Sequence, residues 1–555
     1  MPKTTRLGAA ALSGLLLIAA FPGFNQPWCA WVALVPWLWA LRGLRPWQAF
    51  GLSYLAGLVF GLGSLWWLIH VTLAGWVILC LYLALFSGVF GWLVQPLLER
   101  SARSNRQSAI SNPPRTLPVL AAERWLLTAK PRLVPVIVIP SAWVATEYLR
   151  SHLLSGFGWN LLAYSQTPVL PIIQIADVTG AWGVSWLIVA GNVGVFLALS
   201  GRDRRARVWP IAACAVLLAS AWLYGRQRLQ EPAPVSGLRV AVVQGNIPQD
   251  EKWDEAFQQE ILQRYARLTR ESLRLDPHLI VWPETSVPGF LGGEEPLTQQ
   301  VLDLARSVGR PLLVGAPVNH FTPDAFRMTN AAALLGPDGR IRQRYDKTHL
   351  VPLGEFVPLE SVFPWLRDVL PPIGDFAPGH EYTVFNLPRS RFKVQGSRGE
   401  LDNLEPRTSN LELPFSVLIC FEDVFPELAR EFVARGARLL LTITNDAWFG
   451  KTAAAYQHAQ ASTFRAVELR VPMVRAANTG WSGCIDARGR WRERVRDAAG
   501  DELFVEGVAA CEVAAGSAAT GYLRWGDWLA LVCCGLSAAW LAVRIVGNLR
   551  SRRGI

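Results

Sequence analysis

The stretch "SVLICFEDVFP" (residues 416–426) places one cysteine, Cys420, at the end of a short apolar run and directly before two acids. The run itself has the composition of a buried strand. In layered α/β folds, side chains that follow buried strands gather at one edge of a sheet, where functional groups are common. Cys420 is therefore a candidate nucleophile, and we work outward from its strand.

Four further stretches have the same strand-like composition. They are "LRVAVVQGN" (from Leu238), "HLIVWPE" (from His278), "RPLLVGAP" (from Arg310) and "ARLLLTITND" (from Ala437). Amphipathic helical stretches, such as residues 256–274 and 295–309, lie between them. Strands that alternate with helices in this way predict an α/β domain with largely buried strands.

The rest of the chain is much more apolar. Hydrophobic residues make up 51% of the 555 residues and charged residues 17%, which is typical of a membrane protein. A helix crosses a bilayer with about 20 apolar residues. Eight segments are candidate spans: 8–24, 28–42, 50–72, 76–97, 133–149, 172–199, 209–225 and 526–546.

The net charge of +11 is distributed by topology. Basic residues precede the first span, follow the second and the eighth, and fill the loops between spans four and five and between six and seven, whereas the opposite short loops carry almost none. By the positive-inside rule both termini are cytoplasmic. The charge therefore indicates membrane orientation and not binding to nucleic acid.

The same alternation divides the chain into three regions. Residues 1–225 form a membrane domain with seven helices, residues 226–522 a domain on the periplasmic face, and residues 523–555 a last helix with a cytoplasmic tail. Residues 101–118 have the composition of a solvated cytoplasmic loop, and residues 389–412 that of a flexible surface insertion.

The eight cysteines include no CxxC pair and no cluster with histidines at zinc spacing, so the sequence indicates no structural metal. Cys484 and Cys511 share the oxidising face with Cys420. The sequence leaves open whether those two form a disulfide.

Three strand ends carry the groups that thiol catalysis needs. Glu284 follows the strand in "LIVWPETSVP", Lys347 lies in "YDKTHLVPLGEFVP", and Cys420 follows the third strand. A thiol is mostly protonated at neutral pH, and a carboxylate in apolar surroundings can remove its proton. A lysine can then stabilise the oxyanion that forms when the thiolate attacks an acyl carbonyl. The three residues form a candidate Glu-Lys-Cys site.

The flanks of these residues resemble a known family. "VWPET", "YDKTHLVPLGEFVP", "ICFED" and "TNDAWFG" are similar to motifs of the nitrilase superfamily. Combined with seven spans before and one after them, they resemble its membrane-bound branch, the apolipoprotein N-acyltransferases. "QGNIPQDEKW" (from Gln244) and "SGFGWNLLAYSQ" (from Ser155) add to this resemblance. It implies a periplasmic α-β-β-α sandwich attached to a polytopic α-helical membrane domain of about eight transmembrane helices.

The resemblance also implies the role of each site residue. Glu284 would be the proton acceptor, Lys347 the oxyanion-stabilising cation and Cys420 the nucleophile. Glu355 and Glu422 would be supporting acids that hold the lysine.

Three further positions match or depart from the family pattern. Trp253 matches the tryptophan that the family needs near the first strand. Phe421 stands where the family commonly has tyrosine, so a hydroxyl is lost, and Gly158 replaces a proline, which makes that loop less rigid.

The implied reaction transfers the sn-1 acyl chain of a phospholipid, through a thioester on Cys420, to the N-terminal α-amine of the diacylglyceryl-cysteine of an apolipoprotein. Such an enzyme needs no metal or organic cofactor. It acts as a monomer in the bacterial inner membrane.

An aromatic stretch beside the lysine predicts contact with lipid, because aromatic residues favour membrane interfaces. The candidates for a lid or for lipid contact are Phe356, Phe363, Trp365, Phe421 and Trp448. Two alternatives share parts of this pattern. A membrane-tethered amidase that hydrolyses small amides would use the same triad, and a transporter or scaffold would carry an inactive outer domain.

Overall fold

The computed structural model describes most of the chain. The described residues are 1–103, 133–201, 204–232, 237–292, 295–322, 325–352, 354–357, single positions from 360 to 367, 374–387 and 413–552. The expected loop at 101–118 lies almost wholly outside these residues, as do the insertion at 389–412 and the side chains of the C-terminal tail. The chain divides into two compact units, residues 1–230 with 524–555, and residues 231–523.

The first unit is α-helical. Its helices before the second unit are α1 (Lys3–Ala20), α2 (Leu34–Ala40), α3 (Pro46–Ser64), α4 (Leu73–Arg103), α5 (Leu133–His152), α6 (Leu170–Ile173), α7 (Ala176–Ser200) and α8 (Arg204–Gln230). Short 3₁₀ helices connect them at Pro27–Trp31, Trp66–His70, Leu153–Ser155 and Leu162–Gln166.

Helices occupy each of the seven predicted segments in this part of the chain, but they differ in length. Among the described residues, four helices of the protein are long and apolar enough to cross a bilayer: Leu73–Leu98, Ala176–Ser200, Arg207–Gln230 and Trp528–Val546. The segment predicted as the second span is broken into a 3₁₀ turn and the seven-residue α2. Its apolar stretch, Pro27–Ala40, is shorter than the roughly 20 residues that a helical span needs.

The second unit contains two β-sheets. Its strands are β1 (Leu238–Gln244), β2 (Leu279–Val281), β3 (Leu312–Thr322), β4 (Ala325–Leu335), β5 (Ile341–Asp346), β6 (Phe415–Ile419), β7 (Leu439–Thr444), β8 (Met473–Ala477), β9 (Gly483–Ile485), β10 (Trp491–Arg494) and β11 (Gly507–Val513). One sheet has the order β11-β1-β2-β3-β4-β5 and the other β10-β9-β8-β7-β6. The centre of each sheet is parallel, through β1-β2-β3 and β6-β7-β8.

Helices cover the outer faces of the two sheets. They are α9 (Gln258–Ser272), α10 (Pro296–Val308), α11 (Pro426–Ala434) and α12 (Ala454–Leu469). The helices α9 and α10 pack on β1–β4 in one core, while α11 contacts β6 and α12 contacts β8. Since β1 faces β8 and β11 faces β9, the layers follow the order α-β-β-α. The α/β architecture expected from the strand and helix patterns is confirmed.

A disulfide joins the two sheets. Cys484 lies on β9 and Cys511 on β11, with their Cα atoms 5.7 Å apart. Both side chains are buried, so the bond fixes one sheet to the other inside the sandwich. After β11 the chain continues through α13 (Gly521–Trp525) and α14 (Trp528–Arg552), and α14 belongs to the first unit.

Candidate active site

Residues that follow strands of both sheets meet in the second unit. Glu284 comes after β2 and Lys347 directly after β5, both in the six-stranded sheet, and Cys420 comes directly after β6 in the other sheet. The side chains of Glu284 and Lys347 are in contact, and both interact electrostatically with Cys420. The structure thus brings together the three residues that the sequence placed at separate strand ends.

Glu284 is buried and held by donors on every side. Its Oε1 accepts hydrogen bonds from Asn330 Nδ2 at 2.8 Å and from Lys347 Nζ at 3.4 Å. Its Oε2 accepts one from the main-chain N–H of Asn445 at 2.9 Å. Its main-chain carbonyl accepts one from Lys252 Nζ at 3.0 Å. A carboxylate fixed in this way has one orientation in which to take a proton.

Lys347 is almost completely buried between two carboxylates. Its Nζ lies 2.9 Å from Glu355 Oε2 and 3.4 Å from Glu284 Oε1. Burial alone would lower the pKa of the Lys347 ammonium, but Glu355 and then Glu284 outweigh it and raise that pKa. Lys347 therefore stays protonated and can stabilise an oxyanion. Asn330 Nδ2 also donates to Glu355, at 3.0 Å, and so bridges the two acids.

Cys420 sits at a sharp turn of the main chain. Its φ angle is +53°, in the left-handed region that non-glycine residues rarely adopt. The residue is partly exposed. Burial of the thiol, followed by the charge of Glu284, raises the pKa of Cys420 well above its ordinary value, and Lys347 only partly opposes this shift. At neutral pH the side chain of Cys420 is therefore a thiol and not a thiolate.

The contacts of Glu422 differ from those expected of an acid that holds Lys347. The two side chains form no ion pair in the structure, and Glu422 instead binds main-chain N–H groups. Its Oε1 accepts from Thr348 N at 2.8 Å and His349 N at 3.1 Å, and its Oε2 accepts from Ile419 N at 2.8 Å. Glu422 therefore joins the segment after Lys347 to the strand that ends at Cys420.

A fully buried charged cluster lies behind the cysteine turn. His458 Nε2 lies 3.2 Å from the carbonyl oxygen of Cys420 and 2.9 Å from Asp423 Oδ1, and its Nδ1 lies 3.0 Å from Asp446 Oδ1. Arg475 contacts Asp423 Oδ2 at 2.5 Å. Burial alone would lower the pKa of His458, but Asp423 and then Asp446 outweigh burial and Arg475 and raise it to about 9. Two acids are thus balanced by two cations.

The remaining predicted residues differ in their exposure. Trp253 is 50% exposed and Trp365 57% exposed. Phe356 and Trp448 are half-buried, and Phe421 is buried, with its ring centroid 5.1 Å from that of Phe425. The predicted Phe363 lies outside the described residues.

Sequence reasoning missed four residues that hold the site: Lys252, Asn330, Asn445 and His458. Asn330 is a polar residue inside an apolar strand, and Asn445 lies in the motif "TNDAWFG". His458, Ser462 and Arg465 follow helical spacing on a helix made mostly of small residues. These patterns could have indicated Asn330, Asn445 and His458 from the sequence. No such pattern marks Lys252, which directly precedes Trp253.

The sandwich and its Glu-Lys-Cys site define the class of protein, a carbon–nitrogen hydrolase domain of the nitrilase type. In agreement, residues 239–501 match the family model described as carbon-nitrogen hydrolase. Residues 13–194 match the model described as apolipoprotein N-acyltransferase N-terminal domain.

Curated relatives extend over both units. The apolipoprotein N-acyltransferase of Geobacter metallireducens is 36% identical and covers 94% of this chain and 92% of its own. That of Methylococcus capsulatus is 33% identical, covering 95% and 93%. Among solved structures, Saccharomyces cerevisiae Nit3, of the nitrilase superfamily, aligns at 18% identity and a TM-score of 0.35, covering 50% of this chain and 90% of its own. The chain belongs to the apolipoprotein N-acyltransferase family.

Proposed function

We propose that the protein transfers an acyl chain from a phospholipid to the N-terminal amine of an apolipoprotein, through a thioester on Cys420. The observation that carries this proposal is the buried Glu284–Lys347–Glu355 cluster, which interacts with the thiol of Cys420. An amidase acting on small amides would use the same residues. It is less well supported because the family match extends to the helical unit at residues 13–194.

In the first half-reaction Glu284 removes the proton from the thiol of Cys420. The sulfur attacks the carbonyl carbon of the sn-1 ester, and Lys347 stabilises the oxyanion. The bond from that carbon to the glycerol oxygen then breaks, and Glu284 returns the proton to this oxygen. The products are a thioester and a lysophospholipid.

In the second half-reaction the acceptor amine is the nucleophile and the sulfur of Cys420 is the leaving group. The α-amine of the diacylglyceryl-cysteine attacks the thioester carbon, and Glu284 takes a proton from the nitrogen. Lys347 stabilises the second oxyanion. The carbon–sulfur bond breaks, and Glu284 returns its proton to the sulfur, which leaves an amide and a free enzyme thiol.

The electrostatics of the site support a base-assisted mechanism. Because the pKa of Cys420 is raised, thiolate does not accumulate in the resting enzyme. Proton transfer to Glu284 therefore accompanies attack, and the reactive sulfur exists only when a substrate carbonyl is in place.

The proposal includes a topology. The catalytic unit lies on the periplasmic face of the inner membrane, both termini are cytoplasmic, eight helices cross the bilayer and the chain acts as a monomer. The alternation of basic loops supports this arrangement. So does the disulfide in the second unit, because such bonds persist in oxidising compartments. The exposed Trp253 and Trp365 are proposed lipid contacts of the catalytic unit.

Intact mass spectrometry of the detergent-purified protein, incubated with phospholipid and no acceptor, tests this function. We expect a mass increase of one acyl chain that hydroxylamine removes, that is absent in Cys420→Ala, and that a diacylated peptide clears. The variant Cys534→Ala, which removes a thiol on α14, serves as the matched control and should still form the adduct.

Two results would contradict the proposal. Release of free fatty acid at the same rate with and without the peptide would indicate a hydrolase. An adduct that persists in Cys420→Ala would assign the nucleophile elsewhere.

A further inference from the structure

A second lysine lies in the site. Lys252, in the turn between β1 and α9, is only 3% exposed, although lysine is almost never fully buried without a partner. Its Nζ donates a hydrogen bond to the main-chain carbonyl of Glu284 at 3.0 Å. Among the described residues this is the only hydrogen bond that the ammonium makes, so two of its three N–H groups remain uncommitted.

The turn that carries Lys252 is anchored to the other sheet. Asn478, which follows β8, donates from its Nδ2 to the carbonyl of Ile247 at 2.8 Å and accepts from Ile247 N at 2.9 Å. Asn445 Nδ2 donates to Gln249 Oε1 at 2.7 Å. The turn is thus part of the site's framework, and the position of the lysine does not depend on a flexible surface loop.

The carbonyl that Lys252 binds belongs to a strained turn. Thr285, directly after Glu284, has a φ angle of +45°, which is an outlier for a β-branched residue. Such conformations persist where the surroundings over-determine them. The bond from Lys252 holds the peptide between Glu284 and Thr285, and so it sets the direction in which the Glu284 side chain leaves the main chain.

Lys252 also adds a second positive charge to the site. Glu284 and Glu355 contribute two carboxylates, and Lys347 supplies one cation. A buried excess negative charge is costly, and the usual response is that a carboxylate takes up a proton. Lys252 places a second cation against the main chain of Glu284, so that Glu284 and Glu355 are matched by two cations.

We propose that Lys252 is a positioning residue of the acyl transfer, which fixes the turn at Glu284 and supplies a second positive charge beside its carboxylate. The inference rests on the proposed function, because it assigns Glu284 as the base. It predicts that the protonation of Lys252 controls thioester formation.

Among the described residues, two titratable side chains interact electrostatically with this lysine. They are Glu284, after β2, and Cys420, after β6. Beyond them, Lys347 interacts with Glu284, Glu355 and Glu422, and Asp446, after β7, interacts with Cys420. Burial lowers the pKa of Lys252 to about 8, against the opposing effects of Glu284 and Cys420. Thioester formation by the native enzyme should therefore decline as pH rises through about 8.

The test compares native enzyme with Lys252→Met, Lys252→Arg and Lys451→Met. Lys451 is a lysine of the same unit, 58% exposed and paired with Asp501, and it serves as the matched control. The rate of thioester formation without acceptor is followed by intact mass against pH, because the acceptor amine would itself titrate near pH 8. Thermal unfolding of each variant is recorded in parallel.

We expect Lys252→Met to form thioester at least about tenfold more slowly near neutral pH, with no decline at alkaline pH. Lys252→Arg, whose guanidinium stays charged, should keep activity past the pH at which the native rate falls. Lys451→Met should follow the native profile. If Lys252→Met folds and shows the native rate and pH profile, the inference is wrong.

The same experiment tests the proposed function independently of the role of Lys252. If native enzyme forms no thioester, the proposed function fails whatever the variants do. If native enzyme forms it and Cys420→Ala does not, the function stands and the variants of Lys252 alone decide the inference. A loss in Lys252→Met that is matched by a lower unfolding temperature and leaves the pH profile unchanged would reduce Lys252 to a structural role.

Discussion

At the scale of single residues, the site depends on how firmly Lys347 is held. Glu355 contacts its ammonium through both carboxylate oxygens, at 3.0 and 2.9 Å, and also accepts from the N–H of Val351 at 2.8 Å. These contacts fix the position of the ammonium, which in the proposed reaction faces the acyl carbonyl. Displacement of a catalytic group by about 1 Å can cost a factor of about 100 in rate.

The substitution Glu355→Gln should therefore slow thioester formation by about a hundredfold, because the amide keeps the shape of the side chain but loses its charge. Single-turnover mass spectrometry with phospholipid measures this. Glu360→Gln is the matched control, since Glu360 lies in the same segment but pairs with Arg367 at the surface. Equal rates for both variants would show that Lys347 is positioned without Glu355.

At the scale of elements, α12 holds the turn that begins at Cys420. Nearly all of its residues are buried, and one face contributes His458, Ser462 and Arg465. His458 and Ser462 contact Asp423, while Arg465 donates to the carbonyl of Val424 at 3.3 Å. The short 3₁₀ helix Cys420–Val424 is therefore tied to α12 by charge-assisted contacts.

Loss of His458 leaves two buried acids with one cation fewer. Breaking such a buried pair typically costs about 3–5 kcal/mol, and His458→Asn should lower the free energy of unfolding by that amount. Urea unfolding monitored by tryptophan fluorescence checks this value. His380→Asn, at an exposed histidine of the same unit, should be neutral.

The same cluster predicts how stability depends on pH. The pKa of His458 is about 9 in the folded chain, above the value of about 6.5 for an unfolded chain. The stabilisation is complete below about 6.5 and is lost as pH rises through about 9, because only the folded state holds the proton between these values. A melting temperature that does not fall across this window, or that falls equally in His458→Asn, would contradict the assignment.

At the scale of the whole molecule, the two sheets of the second unit are joined covalently. Cys484 and Cys511 close a loop with a sequence separation of 27 residues, for which chain entropy predicts about 3–4 kcal/mol of stabilisation. The double variant Cys484→Ala/Cys511→Ala should lose this amount and should still form thioester at low temperature, because neither residue belongs to the Glu-Lys-Cys site.

The single variants supply the control for this bond. If the cysteines are paired, each single substitution costs about as much as the double one, since either breaks the same link. Additive effects would mean that the thiols are separate. Alkylation of protein purified from the membrane, with and without reduction, checks the pairing directly.

Much of the second unit could be predicted from local sequence. Apolar runs that end in Glu, Cys or an Asn-Asp pair mark the buried parallel strands and the edge where functional groups meet. The contact between Glu284 and Lys347, 63 residues apart, follows only from the order of strands in the sheet. The roles of the three residues in catalysis stay predictions.

Long-range placement explains what the sequence did not reveal. In the turn after β1, Trp253 attracts notice as an aromatic residue, yet it is 50% exposed while its neighbour Lys252 is buried. In a turn, a shift of one residue decides which side chain faces inward, and a turn has no regular sequence pattern from which that shift could be predicted. The prediction of the second span likewise rested on the number of apolar residues. It did not foresee the break after Trp31, which divides these residues between two short helices.

The bond between Cys484 and Cys511 has a consequence for biogenesis. With the proposed topology, the catalytic unit crosses the membrane as a dithiol and gains its cross-link only when an oxidant outside the cytosol acts on it. Newly inserted molecules would then be less durable than mature ones, and a protease would remove them preferentially. The abundance of the enzyme would thereby follow the capacity of the envelope to oxidise thiols, although no cysteine of that pair takes part in acyl transfer.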